Sequence, residues 1–230
     1  MQDMTQMSTV EQFFFYMKEN SLYVFSQFFD HFLISIYGVL LAALVGIPLG
    51  ILIAKYGKLS KVVMTIANII QTIPALALMA IIMLVLGLGK STVIATVFLY
   101  SLLPVIKNTY VGIKNINKSV TDAGRGMGMT KAQVLYMVEL PLSLSVIITG
   151  IRIALVVAIG ITAIGAFIGA GGLGDIIIRG TNATDGTAII LAGALPTALM
   201  AILADIILGI IERRLDPVKR NQKKLIQPIS

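Results

Sequence analysis

Two charged residues, Arg152 and Asp205, stand inside long apolar stretches of this chain. A charge at that depth is either functional or half of a pair, because leaving it unpaired at mid-bilayer costs about 2.5 to 3.5 kcal/mol. Counted from Pro141 and from Arg213, the two lie about 16 Å and about 12 Å into their stretches at helical rise. The matching depths predict an intramembrane ion pair tying the stretches together, with a proton or substrate relay as the alternative. Other chemistry finds few candidates. There is no cysteine and one histidine, His31, so no disulfide, thiolate site or zinc cluster is expected. Gly169-Ala-Gly-Gly-Leu-Gly174 spells G-x-G-x-x-G, yet that fingerprint binds dinucleotides only between a strand and a helix. Here it ends an apolar stretch, where a tight turn and close helix contacts are expected, with Gly165 and Gly169 at small-xxx-small spacing. No Ser/His/Asp, Walker or metal constellation is present, so no catalytic residue and no metal site is expected.

The elements that must position these residues are membrane helices. Of the 230 residues, 57% are hydrophobic and 13% charged, and the mean hydropathy is +0.93, values foreign to a soluble domain. Five charge-poor stretches are long enough to cross a bilayer: about 31–54, 62–89, 91–106, 142–168 and 187–211. Lysines and arginines cluster after the first (Lys55, Lys58, Lys61), third (Lys107, Lys114, Lys118, Arg125, Lys131) and fifth (Arg213, Arg214, Lys219, Arg220, Lys223, Lys224). These regions are therefore expected inside, with the N-terminus outside and the C-terminus inside. The net charge of +7 is read as this topology and not as nucleic-acid affinity. No cleavable signal peptide is expected, since no basic stretch precedes the first span. The chain thus divides into an extracytoplasmic interfacial segment (1–30), a transmembrane domain (31–212) with a cytoplasmic loop at 107–141, and a basic tail (213–230) able to meet anionic membrane lipids.

Pro48, Pro74, Pro104 and Pro196 fall within or beside spans and permit bends. Gln71, Thr72, Pro74 and Thr197 are candidate pathway-lining positions, although polar groups near kinks also satisfy freed carbonyls. Phe13, Phe14, Phe15, Tyr16, Tyr23, Phe25, Phe28, Phe29 and Phe32 mark the first thirty or so residues as a helix in the outer interface. Caging a quaternary ammonium by cation–π attraction is the other use of such aromatics, weakened by the absence of tryptophan. Asn182-Ala-Thr184 spells a glycosylation sequon, to which no functional meaning is assigned.

Between the third and fourth spans runs Thr121 to Pro141, where a polar helix start, small residues and an apolar stripe follow one another. Thr121 or Ser119 is expected to cap the first turn, with Asp122 at the positive end of the helix dipole. Ala123, Gly124 and Gly128 at helical spacings are expected to let another backbone come close. Val134, Leu135 and Val138 form a second apolar run, and Pro141 stops that helix or starts the next.

This segment resembles the docking loop of ATP-binding-cassette importer permeases, which reads Glu-Ala-Ala, three residues, Gly, nine residues, Ile, one residue, Leu-Pro. Asp122, Ala123, Gly124, Gly128, Val138, Leu140 and Pro141 keep the whole spacing, with Asp for Glu, Gly for the second Ala and Val for Ile. Segments 31–38, 69–76, 101–110, 169–175 and 179–184 resemble the osmoprotectant branch, importers of glycine betaine, carnitine and choline. The resemblance implies an all-α membrane protein with the five-helix type I importer permease (MetI-like) fold. It implies two permease subunits, identical or paralogous, two cytoplasmic ATPases carrying ATP and magnesium, and a separate extracytoplasmic substrate-binding protein. No cofactor is implied in this chain, which has no room for those domains and performs no covalent chemistry. A permease for another small solute, such as an amino acid, is the nearest alternative. An ion-coupled secondary transporter would need a buried ion site and often a repeat of spans.

Overall fold

The computed structural model describes residues 8–216. Ser8 opens helix α1 (Thr9–Glu19): its hydroxyl accepts from the Glu11 amide at 3.4 Å, and the Glu11 carboxylate accepts from the Ser8 amide at 2.8 Å. Helix α2 (Ser21–Lys55) follows at once and begins well before the expected span at 31, because hydropathy marks the lipid-embedded stretch and not the helix end. Along α2, Gly38, Ala42, Gly46 and Gly50 place a small residue at every fourth position, and this stripe faces α5 (Lys90–Lys114). A methyl on Gly38 would lie 2.3 Å from Val97 Cγ1, and one on Gly50 2.5 Å from Thr109 Cβ. Lipid supplies no hydrophobic drive for apolar helices to associate, so close backbone contact holds them.

Helix α8 (Leu140–Ile164) packs on both α5 and α2. A methyl on Gly150 would meet the Pro104 carbonyl at 2.8 Å. Between α2 and α8, buried His31 Nε2 lies 2.9 Å from the Ile159 carbonyl, and the Ser35 and Thr162 hydroxyls lie 2.9 Å apart. These bonds fix the rotation of two otherwise apolar helices.

The second expected span is broken, into α3 (Gly57–Thr72) and α4 (Ala75–Leu86) at 99° to one another. Pro74 disfavours helical backbone at Ile73, which is extended at φ −73, ψ 127. The break is closed from α5: the Tyr100 hydroxyl donates to the Ile73 carbonyl, and Gln71 Nε2 donates to the Tyr100 carbonyl at 2.9 Å. Pro48, Pro104 and Pro196 remain inside continuous helices. Gly165–Ile168 tightens into a 3₁₀ turn after α8 and leads to a hairpin with Gly169, Gly171 and Gly172 at φ 73, 75 and 78. There follow the short α9 (Leu173–Thr181) and the long α10 (Thr187–Leu215). Four runs are long and apolar enough to cross a membrane alone, namely α2, α5, Lys131–Ile168 and α10; the bent pair α3–α4, counted as one span, supplies the fifth.

At one end of the bundle Lys55 faces Glu139 at 3.6 Å. At the other, Lys90 pairs with Asp30 at 2.8 Å, and the Tyr23 hydroxyl donates to Asp175 at 2.5 Å. Arg179 donates to the same carboxylate at 2.8 Å and lies 4.7 Å from the centre of the Tyr23 ring. Asp175 raises the pKa of the Arg179 guanidinium above its ordinary value.

Candidate functional site

At the Lys55 end, the loop expected at 107–141 is a helical hairpin. Its first residues still belong to α5, which runs to Lys114. Helix α6 (Lys118–Gly126) is capped by Asn117, whose side-chain oxygen accepts from the Ser119 amide at 3.0 Å. Neither Thr121 nor Ser119 is the cap: Asn117 sits where the backbone turns into the helix, and the Thr121 hydroxyl donates back to the Lys118 carbonyl at 2.9 Å. Asp122 consequently lies past the first turn and faces Arg125 at 3.7 Å.

Helix α6 ends in a paired cap. The Met129 amide donates to the Gly124 carbonyl at 3.2 Å, and the Gly128 amide to the Arg125 carbonyl at 2.9 Å. This closure needs a left-handed residue, and Gly128 stands at φ 84 with open space where a Cβ would be. Gly128 is therefore a turn and not part of a helix face. Gly124 points inward, where a methyl would meet Met129 Sδ at 3.2 Å and Val138 Cγ2 at 3.9 Å. The outward surface belongs instead to Asp122, Ala123, Arg125, Gly126, Met127 and Gly128.

The return arm is α7 (Lys131–Val134), started by Thr130 and Gln133 in a reciprocal cap. It passes into α8 through a π turn, Leu135–Glu139, in which the Leu140 amide reaches the Leu135 carbonyl. Pro141, in the first turn of α8, has no amide to give the Met137 carbonyl, and a widened turn accommodates the loss. Val134 is buried, while Met127, Tyr136 and Met137 are exposed, so the hairpin presents small residues flanked by apolar ones on a charged element.

In the membrane, the structure brings Arg152 and Asp205 together. Arg152 Nε lies 2.6 Å from Asp205 Oδ1 and Nη2 2.8 Å from Oδ2. A third member, absent from the sequence reading, is Glu212, which accepts from Arg152 Nη1 at 3.1 Å. Asp205, Gly209 and Glu212 share one face of α10, and a methyl on Gly209 would sit 3.2 Å from Nη1, so the small residue makes room for the guanidinium. Gln71, Thr72 and Pro74 gather at the α3–α4 break, whereas Thr197 lies on α10. Their polar groups are spent on backbone: Gln71 on Tyr100, Thr72 on the Ile69 carbonyl at 2.7 Å, and Thr197 on the Gly193 carbonyl at 2.8 Å. Among the described residues no group of three or more His, Cys, Asp or Glu is arranged to hold a metal. Of the basic tail, residues 217–230 lie outside the described residues.

The profile of a family described as "binding-protein-dependent transport system inner membrane component" matches residues 46–217, which include the whole hairpin. This chain belongs to that family. The glycine betaine/carnitine/choline transport system permease protein OpuCD of Bacillus subtilis is 61% identical to this chain over 220 residues, 96% of each chain. The carnitine transport permease protein OpuCD of Listeria monocytogenes is 59% identical, covering 97% of this chain and all of its own. The choline transport system permease protein OpuBD of Bacillus subtilis is 60% identical over 94% of this chain and 96% of its own. A chain of the inward-facing MetNI methionine ABC transporter superposes with TM-score 0.74 at 21% identity, covering 81% of this chain and 93% of that one. That likeness gives the fold, which is the type I importer permease fold; the protein is a multi-pass permease of the bacterial cell membrane.

Proposed function

We propose that this permease is the translocating subunit of an ATP-driven importer of quaternary-ammonium osmoprotectants: glycine betaine, carnitine and choline. The reading is carried by near-full-length identity of about three residues in five to permeases named for those solutes. It works with a second permease, identical or paralogous, two ATPases that hold ATP and magnesium, and an extracytoplasmic binding protein. The 107–141 hairpin faces the cytoplasm and docks to the ATPase through the exposed Asp122–Gly128 surface, supported from behind by Gly124, Val138, Leu140 and Pro141.

ATP closes the ATPase dimer and draws the docking helices together. The spans then open outward to receive solute from the binding protein, and ATP hydrolysis returns them. Arg152, Asp205 and Glu212 hold α8 to α10 during this cycle, and Gln71, Thr72, Pro74 and Thr197 lie along the pathway. The outer segment 1–30, the transmembrane region and the basic tail keep the sidedness that the lysines and arginines suggest, with lipid headgroups beside the tail.

The test is uptake of labelled glycine betaine, carnitine and choline by the intact complex in proteoliposomes. ATP-dependent uptake of at least one, abolished by Ala123→Trp while the variant stays in the membrane, is expected. No uptake of any of the three refutes the substrate class, and unchanged ATPase attachment in Ala123→Trp refutes the docking surface.

A further inference from the structure

At the end of the bundle opposite the docking hairpin, a cavity of about 220 Å³ opens between α1, the α9–α10 loop and the start of α10. Phe15 and Tyr16 form its α1 wall, with Asn20 beside them, and Thr184 and Asp185 face them from the loop. Asp185 is the only described non-glycine residue with positive φ, at 58. A left-handed aspartate is an uncommon, mildly strained placement of the kind found at binding sites. Its carboxylate makes no hydrogen bond or ion pair with another described residue, so an exposed negative charge borders a cavity whose α1 wall is aromatic.

The neighbouring cluster shows what this surface does with a cation. There Arg179 already lies over Tyr23 while Asp175 neutralises it, which leaves Asp185 as the uncompensated charge of the cavity. Burial pushes the Tyr16 phenol above its ordinary pKa, keeping the ring neutral. A trimethylammonium group has no N–H to donate and is bound by aromatic faces and a nearby diffuse negative charge, both present here.

We infer that this cavity is a reception site for the quaternary-ammonium head of the transported solute, with Phe15 and Tyr16 against the methyl groups and Asp185 as counter-charge. Thr184 and Asn20 offer polar contacts to the solute's carboxylate or hydroxyl. The inference rests on the proposed function, which places this end outside and makes it the face that meets solute released by the binding protein. Aromatic and single-charge contacts of this kind hold a cation weakly, as a relay must if the solute is to move on.

The test is saturation binding of labelled choline to the intact permease–ATPase complex, without binding protein, in nanodiscs of phosphatidylglycerol. Saturable binding is expected, with the neutral isostere 3,3-dimethylbutan-1-ol a poor competitor. Tyr16→Leu and Asp185→Asn should each weaken it about three- to tenfold, and Tyr16→Phe should leave it unchanged. Asparagine tolerates the left-handed backbone, so Asp185→Asn removes charge without refolding the loop. Binding of choline should be the same when phosphatidylcholine is included; its loss there would assign the cavity to a lipid headgroup and overturn the inference. So would an absence of saturable binding, or wild-type binding in both Tyr16→Leu and Asp185→Asn. If the complex with its binding protein imports no quaternary ammonium at all, the proposed function itself fails; if import persists while both variants bind and import normally, only the cavity assignment does.

Discussion

Replacing Gly128 separates two reasons for a glycine at the hairpin proposed to dock the ATPase. One is room for a partner; the other is backbone, because Gly128 closes the end of α6 at φ 84. A methyl there would touch nothing within 4 Å in this chain, so Gly128→Ala meets no internal clash and reports the cost of the left-handed conformation. That cost is about 1–2 kcal/mol for alanine and less for asparagine. If the ATPase binds only the closed hairpin and closure is marginal in the free permease, the closing equilibrium constant falls by that factor, and apparent affinity drops by up to about 5- to 30-fold in Gly128→Ala. Gly128→Asn should fall between the two. The assay is titration of the ATPase against the reconstituted permease, with stimulated ATP hydrolysis as a second readout. Binding of Gly128→Ala within twofold of the parent would refute the conformational argument. Equal losses in the alanine and asparagine variants would refute it too, and would return the glycine's role to partner clearance.

Gly38→Ala drives a methyl to 2.3 Å from Val97 and should destabilise the α2–α5 pair by about 1–3 kcal/mol in a detergent unfolding titration, with partial rescue in Gly38→Ala/Val97→Ala. Gly160→Ala, which meets nothing within 4 Å, is the control and should not destabilise. Tyr100→Phe leaves the Ile73 carbonyl without its donor at the α3–α4 break and should cost about 0.6 kcal/mol, near the average for interhelical hydrogen bonds in membranes, on the same titration. Asp205→Asn should reduce the yield of folded protein more than Glu212→Gln, since Asp205 takes two Arg152 bonds and Glu212 one, with half-maximal uptake concentration unchanged in both. As the chain has no cysteine, Lys118→Cys should resist, and Glu19→Cys accept, an impermeant thiol reagent added to intact cells; the reverse pattern overturns the orientation.

Long-range periodic features were legible in the sequence, and local geometry was not. Apolar runs located the crossings, and similar depth paired Arg152 with Asp205, but Glu212 required seeing that positions 205 and 212 are two turns apart on one face. The aromatics announced a helix in the first thirty residues, but its unbroken run from Ser21 into the first span was not legible, because hydropathy marks depth in lipid and not helix ends. Pro48, Pro74, Pro104 and Pro196 all permitted bends in the sequence, and the helix breaks at Pro74 alone of the four, where the Tyr100 hydroxyl meets the Ile73 carbonyl from another helix. The spacing from Asp122 to Pro141 pointed to a distinct element between spans, yet Asn117 won the cap over Thr121 and Ser119. Gly128 is the turn itself, a distinction that spacing alone does not carry. Asp185 gave no signal, since its backbone conformation belongs to the fold.

The run Lys131–Ile168 joins the hairpin to α8 without a loop. A tilt of the hairpin would therefore be carried directly into the span, past the π turn at Leu135–Glu139. Helix α8 alone is 25 residues, or about 37 Å at helical rise, so a tilt of about 10° imposed at the hairpin displaces its far end by about 6 Å. That end terminates in the left-handed glycines 169, 171 and 172, ahead of α9. A small rotation applied at the hairpin would therefore reach the far end of α8 enlarged by the length of the helix alone.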